Sequence, residues 1–499
     1  MGNSVDGCTD EPPPYSLGSV PVELVSVLVL ATVLRVYRLT DESLWIDENF
    51  MVQVATEYTL AELVFELPLF EPHPPLYNVV MWGWVAIGDA TTLWMRSSSV
   101  AFSVATIPVL YLLAWRLFDR QTAGVAILLF AVSPFQIWHA QDARMYALLV
   151  LATVTGWYLL VRLREAVTSI TALAYLLSGI VLGYTHVYGL FVLLAHVLVV
   201  AWWLRKAPEQ TALTVPQSIG LFGGIGALVS PWLAVLATRV FVPDPAFEDP
   251  ADWLVPPGAL ELIETVRIHM FGFTRVRAPY ELLPETPAIL ALTVALPIAL
   301  VIAAWFLEDL REHEHSLGIV AVWLLVPVFV PFVLSVLVQP MYELRYTIVA
   351  APAAILLVAL GIQTVRSAPA RVVLVVLVLL TVAYPLPAYY GEAQKDQWED
   401  AATVVGSEAT DDDAILIAPG WTQSAFAYYY GDRPGKQIPI FAGTPQWQYD
   451  EAVTDGNRTF LIMSYLDDRD AVLERTESAV DRPPDAHYEF VRVEIYVWR

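Results

Sequence analysis

Leu44-Trp45-Ile46-Asp47-Glu48-Asn49 opens, and His73-Pro74-Pro75-Leu76-Tyr77 closes, a polar loop from Thr40 to Tyr77 that lies between apolar stretches. Two adjacent carboxylates at a membrane edge are costly to desolvate, by about 2.5–3.5 kcal/mol each at a helix centre and less at the interface, so they persist mainly where they face a wet cavity or a partner. An isolated Asp-Glu pair is most often a helix cap. Here His73, Arg96, the run Gln141 to Tyr146 and the run Glu343 to Tyr346 also sit at the ends of apolar segments. That company marks Asp47-Glu48 as the centre of a candidate active site.

Of 499 residues, 57% are apolar, and they gather in runs long enough to cross a bilayer. Spans are expected near 20–39, 94–115, 121–138, 145–162, 169–185, 187–204, 217–239, 286–307, 317–338, 344–364 and 371–388, about eleven in all. Residues 76–88 are too short to span and read as an interfacial or re-entrant segment. Within the loop, Thr59-Leu60-Ala61-Glu62 fits a capping box that opens a short helix. Residues 1–19 read as a disordered tail, and 240–285 as a long loop able to cover the site.

After Tyr390 the chain turns polar, with strand-like runs at Ala414–Ala418, Gln437–Phe441, Thr459–Tyr465 and Tyr488–Trp498. The expected fold is an all-α polytopic membrane domain, 20–390, followed by a small α/β domain, 391–499. Asn457-Arg458-Thr459 is a glycosylation acceptor triplet, meaningful only if that domain is outside the cell.

Arg116, Arg120, Arg162, Arg164, Arg205, Lys206, Arg311, Arg366 and Arg371 fall on alternate connections, which the positive-inside rule makes cytoplasmic. The candidate site and the C-terminal domain are then extracytoplasmic. Arg35 and Arg38, which close the first span, argue for the opposite orientation of that span, and 76–88 would then have to cross. Eleven spans are preferred because charged groups must share a face to form one site.

The net charge is −24, with 27 Lys and Arg against 51 Asp and Glu, and only Lys206, Lys395 and Lys436 are lysines. This balance is similar to that of halophilic archaeal proteins, and it repels nucleic acid. Cys8 is the one cysteine, so no disulfide or cysteine-based metal site is available. No basic region precedes the first apolar run and no small-residue cleavage site follows it, so no cleavable signal peptide is expected.

Trp45-Ile46-Asp47-Glu48, His73-Pro74-Pro75-Leu76-Tyr77, Arg96, Gln141-Asp142-Ala143-Arg144-Met145-Tyr146 and Arg345-Tyr346 followed by Pro352 resemble, in that order, the GT-C superfamily of membrane glycosyltransferases. The branch with protein O-mannosyltransferases and lipid A aminoarabinose transferases is the most similar. The resemblance covers residues 20–390 and is carried by the ordered set, since each motif alone is weak. It implies a dolichyl- or other polyprenyl-phosphate-linked monosaccharide, such as mannose, as donor. It also implies a glycan, lipid or glycoprotein acceptor, an extracytoplasmic site and inversion at the anomeric carbon. The Trp-Trp-Asp motif of oligosaccharyltransferases is absent, which argues against en bloc transfer to Asn.

An acceptor hydroxyl needs a base, which contributes about 10²–10⁴-fold in rate. Asp47 is the expected base, with Glu48 orienting it or the acceptor. A departing lipid phosphate needs positioned cations, for which Arg345, Arg144 and Arg96 are candidates, with His73 at the rim. Asp142, Tyr146, Tyr346 and His186 are candidate lining residues. No metal is assigned, and a divalent ion would need Asp47, Glu48 and Asp142 to converge. A transporter or lipid-linked sugar flippase is the rival reading, but the internal repeats and helices broken near their middles that would favour it are not clear in the sequence.

Overall fold

The computed structural model describes residues 21–69, 71, 73–241, 254–271, 299, 302, 313–454, 458–466 and 468–499. The N-terminal tail, the span expected at 286–307, Asn457 and most of the loop 240–285 lie outside the described residues.

Seven described helices are long and apolar enough to cross a membrane, or up to eight if one bent pair counts as a span. The chain begins with α1 (Val22–Val36). The polar loop then forms α2 (Ile46–Glu57), α3 (Leu60–Phe65) and α4 (Leu76–Ile87). Next come α5 (Thr92–Leu117), α6 (Arg120–Val132), α7 (Pro134–Ala140), α8 (Tyr146–Glu165), α9 (Ser169–Thr185), α10 (Val187–Lys206), α11 (Val215–Phe241) and α12 (Leu260–Phe271). Apolar helices at Glu314–Leu337, Ala351–Gln363 and Ala368–Ala383 follow.

Side-chain caps fix several starts. Thr91 accepts from Trp94 N, Asp119 from Thr122 N, Thr168 from Thr171 N and His186 Nδ1 from Tyr188 N. The capping box at α3 is present, with Glu62 Oε2 accepting from Thr59 N at 2.7 Å. Outward faces of α1, α9 and Ala368–Ala383 are apolar, with Val29, Leu173 and Leu380 more than half exposed. Such faces suit lipid rather than water. The span Leu344–Gln363 is the central one, with 94% of its window buried.

The loop 37–91 leaves and returns to one end of the bundle, because Arg96 near the start of α5 donates to Leu39 O just beyond α1 (2.9 Å). The short helix α4, 12 residues long, lies within that excursion. It is tied down by a reciprocal pair, Trp84 Nε1 to Trp94 O (2.9 Å) and Trp94 Nε1 to Trp84 O (2.7 Å). At the opposite end lie Arg116 with Glu165, Arg120 with Glu23, and Arg371 with Gln121.

Three expectations change in detail. The stretch 121–138 is bent by 58° between α6 and α7. Pro134 has no N–H to donate and pushes Ser133 out of the helical region, to ψ 118°. Arg35 is not an exposed topogenic charge: it is fully buried and donates to Phe130 O, Ala131 O and Ser103 Oγ, closing the C-terminus of α6. The expected strand Tyr488–Trp498 is a hairpin turning at Val491-Arg492, with Arg492 at φ 57°.

The C-terminal domain is a five-stranded sheet of β1 (Ala414–Ala418), β2 (Lys436–Pro439), β3 (Thr459–Met463), β4 (Ala486–Phe490) and β5 (Val493–Trp498), ordered β2-β1-β3-β5-β4. β1 is parallel to both neighbours, while β5 runs antiparallel to β3 and β4. Trp398, Phe426, Phe460 and Ile495 fill one face, and Ile46 from the polar loop packs against them.

Candidate active site

α2 begins at Ile46, so Asp47 and Glu48 occupy its second and third positions, where amides are unsatisfied and the dipole favours acids. Successive positions on a helix diverge by about 100°. One carboxylate therefore turns into the protein and the other turns away from it.

Glu48 is the inward one, with no exposed surface. It accepts from Arg96 Nε (2.8 Å) and Nη2 (2.8 Å), Lys395 Nζ (3.0 Å), Ala143 N (2.8 Å) and Trp45 N (3.3 Å). Burial alone would raise its carboxyl; Arg96 and Lys395 outweigh this and hold it below the ordinary carboxylate range. Arg96 also donates to Leu39 O, Glu42 O and Ser43 O, each at 2.9 Å. All five guanidinium N–H groups are thus engaged inside the protein. Arg96 has no donor left for a donor phosphate, so the expectation that it binds one changes to a scaffold role.

Asp142, expected to line the site, lies beneath it with no exposed surface. Its Oδ1 accepts from Lys395 Nζ (2.7 Å) and Trp45 Nε1 (3.1 Å), and Oδ2 is 3.5 Å from His139 Nδ1. The loops bearing Asp47, Glu48 and Asp142 do converge, but the Lys395 ammonium stands between Glu48 and Asp142 and Asp47 faces elsewhere. Among the described residues no group of three or more His, Cys, Asp or Glu is placed to hold a metal ion.

Asp47 keeps a side chain 30% exposed, with Oδ2 3.7 Å from Arg345 Nη1. Arg345 also lies 3.6 Å from Glu343 and stacks over the rings of Trp45 and Tyr346, each at 5.6 Å. Arg144 is buried; its Nη1 donates to Asp47 O (3.3 Å) and its Nε has no hydrogen-bond partner among the described residues. Around these cations stand His73, Tyr146, His186, Tyr188 and Tyr346: His73 stacks on His186 at 5.1 Å, Tyr346 is 4.5 Å from His186, and Tyr146 is 6.3 Å from Tyr346. Burial pushes His186 down to about 3, so it is neutral. Because its Nδ1 accepts from Tyr188 N, the ring proton is on Nε2. From the long loop, α12 joins Thr265 to Tyr342 (2.5 Å) and His269 to Thr347 (2.9 Å), on either side of Arg345.

Sequence reasoning missed Lys395. Its one signal was rarity, since it is one of three lysines in the chain.

No family model and no curated protein matches this sequence. Solved structures do. ArnT from Cupriavidus metallidurans in the apo state superposes with TM-score 0.59 at 12% identity, covering 95% of this chain and 97% of that one. The same protein bound to undecaprenyl phosphate gives 0.56 at 12% identity with the same coverage. The Archaeoglobus fulgidus oligosaccharyltransferase in complex with zinc and sulfate gives 0.52 at 12% identity, covering 88% of this chain and 67% of that one. Membrane bundle and C-terminal domain together, this chain shares the fold of these structures.

Proposed function

We propose that this protein transfers a single sugar, mannose or a similar hexose, from a dolichyl-phosphate-linked donor to a hydroxyl of a glycan, lipid or protein acceptor. The observation that carries the reading is Asp47. It is the one carboxylate of its pair that reaches the surface, and it faces Arg345 with Arg144 behind it, within a cluster of aromatic rings. A fold shared with a protein caught holding undecaprenyl phosphate supports a lipid phosphate as the donor's carrier.

In the reaction the acceptor oxygen bonds to the anomeric carbon as the bond from that carbon to the phosphate oxygen breaks. The electron pair leaves with the lipid phosphate, and the hydroxyl proton passes to Asp47. A single displacement inverts the anomeric centre. Arg345 binds the departing phosphate, and Arg144 adds charge and its inward Nε–H. When the donor phosphate takes Arg345, Asp47 loses its ion-pair partner and is released to act as base. Basic residues gather at the far end of the bundle, so the positive-inside rule puts the site and the C-terminal domain outside the cell.

The test is incubation of membranes with radiolabelled dolichyl-phosphate-mannose or -glucose. Label should leave the lipid with wild type, and Asp47→Asn should slow transfer by about 10²–10⁴-fold while donor binding persists. Label that never leaves the lipid, or an undiminished Asp47→Asn, overturns the proposal.

A further inference from the structure

Beside Asp47, almost every residue of the catalytic stretch is gripped by the chain that follows the last apolar helix. Gln394 N donates to Glu42 Oε1 (3.0 Å), Glu399 N to Ser43 Oγ (3.1 Å), and Lys395 Nζ to Glu48 Oε2 (3.0 Å). In return Leu44 N donates to Tyr429 Oη (2.6 Å) and Ile46 N to Asp396 Oδ2 (3.3 Å). The Asp396 carboxylate is itself fixed by Tyr465, whose hydroxyl donates to it at 2.6 Å, and Tyr428 Oη reaches Ala90 O at 2.8 Å. These partners come from the linker and from the ends of helices and strands in the soluble domain, more than 330 residues along the chain.

Lys395 is the centre of this grip. Its three N–H groups go to Glu48 (3.0 Å), Asp142 Oδ1 (2.7 Å) and Gln141 O (2.9 Å), and its side chain is 5% exposed. Glu48 and Asp142 are fully buried. Arg96 and Lys395 are the two cations bonded to this carboxylate pair, Arg96 to Glu48 and Lys395 to both. Glu42, which faces both cations, and His139, Tyr389 and Tyr429 are other titratable groups around them. Arg96 comes from α5 and is in place whenever the membrane helices are. Lys395 lies in the linker just before Trp398–Glu408, the first helix of the soluble domain, so its position is tied to the seating of that domain.

We infer that Lys395 is a positioning residue by which the seated C-terminal domain neutralises Glu48 and Asp142 and so sets the first turn of α2, and with it Asp47, in its working geometry. The inference rests on Asp47 being the base. It gives the soluble domain a task in the chemistry: an unseated domain leaves one buried carboxylate without a counter-charge, and the Glu42–Glu48 stretch without its anchors. Relaxation of such a site is driven by the cost of an uncompensated buried charge, which is among the largest single-site penalties.

The experiment uses the full-length protein in membranes and, purified, in detergent. Lys395→Met should lower kcat at least about tenfold at neutral pH with little change in KM for the dolichyl-phosphate-sugar. The ratio of variant to wild-type activity should rise as the pH is lowered, because a proton on Asp142 or Glu48 then replaces the missing ammonium. The double variant Lys395→Met/Asp142→Asn removes one charge of each sign, so it keeps the wild-type charge balance at this site, and it keeps an acceptor for the Trp45 indole. It should return kcat to within about threefold of wild type. Hydrogen–deuterium exchange at residues 42–48, read without any substrate, should rise in the single variant and fall back in the double one.

A Lys395→Met protein of wild-type kcat beside a dead Asp47→Asn overturns the inference and leaves the base assignment standing. A flat pH ratio with no rescue overturns it too, since loss of packing alone would not respond to charge. Exchange that behaves as expected in a protein that transfers no sugar removes the proposed function and keeps the seating role. Should the single variant not reach the membrane, the double variant decides: recovered expression supports charge balance, and continued failure overturns it.

Discussion

Glu48→Gln separates anchor from base more sharply than any other single change. The side chain is fully buried, and its two oxygens collect five hydrogen bonds, from Arg96 twice, Lys395, Ala143 N and Trp45 N. Glutamine keeps the shape and one acceptor oxygen. Its NH₂ group, however, meets N–H donors in place of an oxygen, and one of two buried cations loses its counter-charge. Removing one partner of such a buried pair costs about 3–5 kcal/mol, a large part of the roughly 5–15 kcal/mol that holds a typical protein folded. Asp47→Asn instead loses one 3.7 Å ion pair at a side chain 30% exposed, a change of about 0–1 kcal/mol. The assay is denaturant unfolding of the purified full-length protein, followed with membrane yield for both variants. Glu48→Gln should unfold well before wild type and express poorly; Asp47→Asn should match wild type in both. The sign of the pH effect follows from the lowered Glu48 carboxyl. Its contribution is present above the unfolded value near 4.5 and is lost as the pH falls through the lower folded value. Wild type should therefore lose stability steeply on acidification, and Glu48→Gln less so. Equal stability of the two variants would refute the anchor assignment. A stable but inactive Glu48→Gln would move the catalytic role from Asp47 to Glu48.

Arg345→Lys keeps the charge but loses the planar fork and the stacking on Trp45 and Tyr346, so kcat should fall far more than membrane yield; wild-type transfer would make Arg345 structural. In a Cys8→Ser background, cysteines at the exposed positions Glu57 and Ser407 should react with an impermeant thiol reagent from outside intact cells, while one at Glu209, at the basic end, should not; the reverse pattern would place the site in the cytoplasm.

The membrane bundle was legible because its signal is additive: twenty apolar residues in a row report a span whatever the neighbours do, and α5, α8, α10 and Glu314–Leu337 lie where the runs lie. The break at Ser133-Pro134 was legible in principle, since proline acts on its own backbone. The hairpin at Val491-Arg492 was not, because neither residue carries the Asn-Gly or Asp-Gly signature of a two-residue turn. For the site, the ordered motifs pointed to Asp47, Arg144, Arg345, Tyr146 and His73, which lie together with the candidate lining residue His186. What they did not reveal was which member of the Asp47-Glu48 pair faces inward. Asp47 and Glu48 are chemically near-equivalent, and helical phase against a partner distant in sequence decides between them. For Glu48 that partner is Lys395, separated from it by 347 residues and lying in a polar linker that pattern reading treats as a boundary. A buried charge is specified by its counter-charge, so a reading that takes the membrane domain and the soluble domain separately cannot find it. The same physics that hides Lys395 from the sequence makes it informative in the structure: three donors, three acceptors and almost no exposed surface tie the start of the soluble domain to Glu48, the neighbour of Asp47.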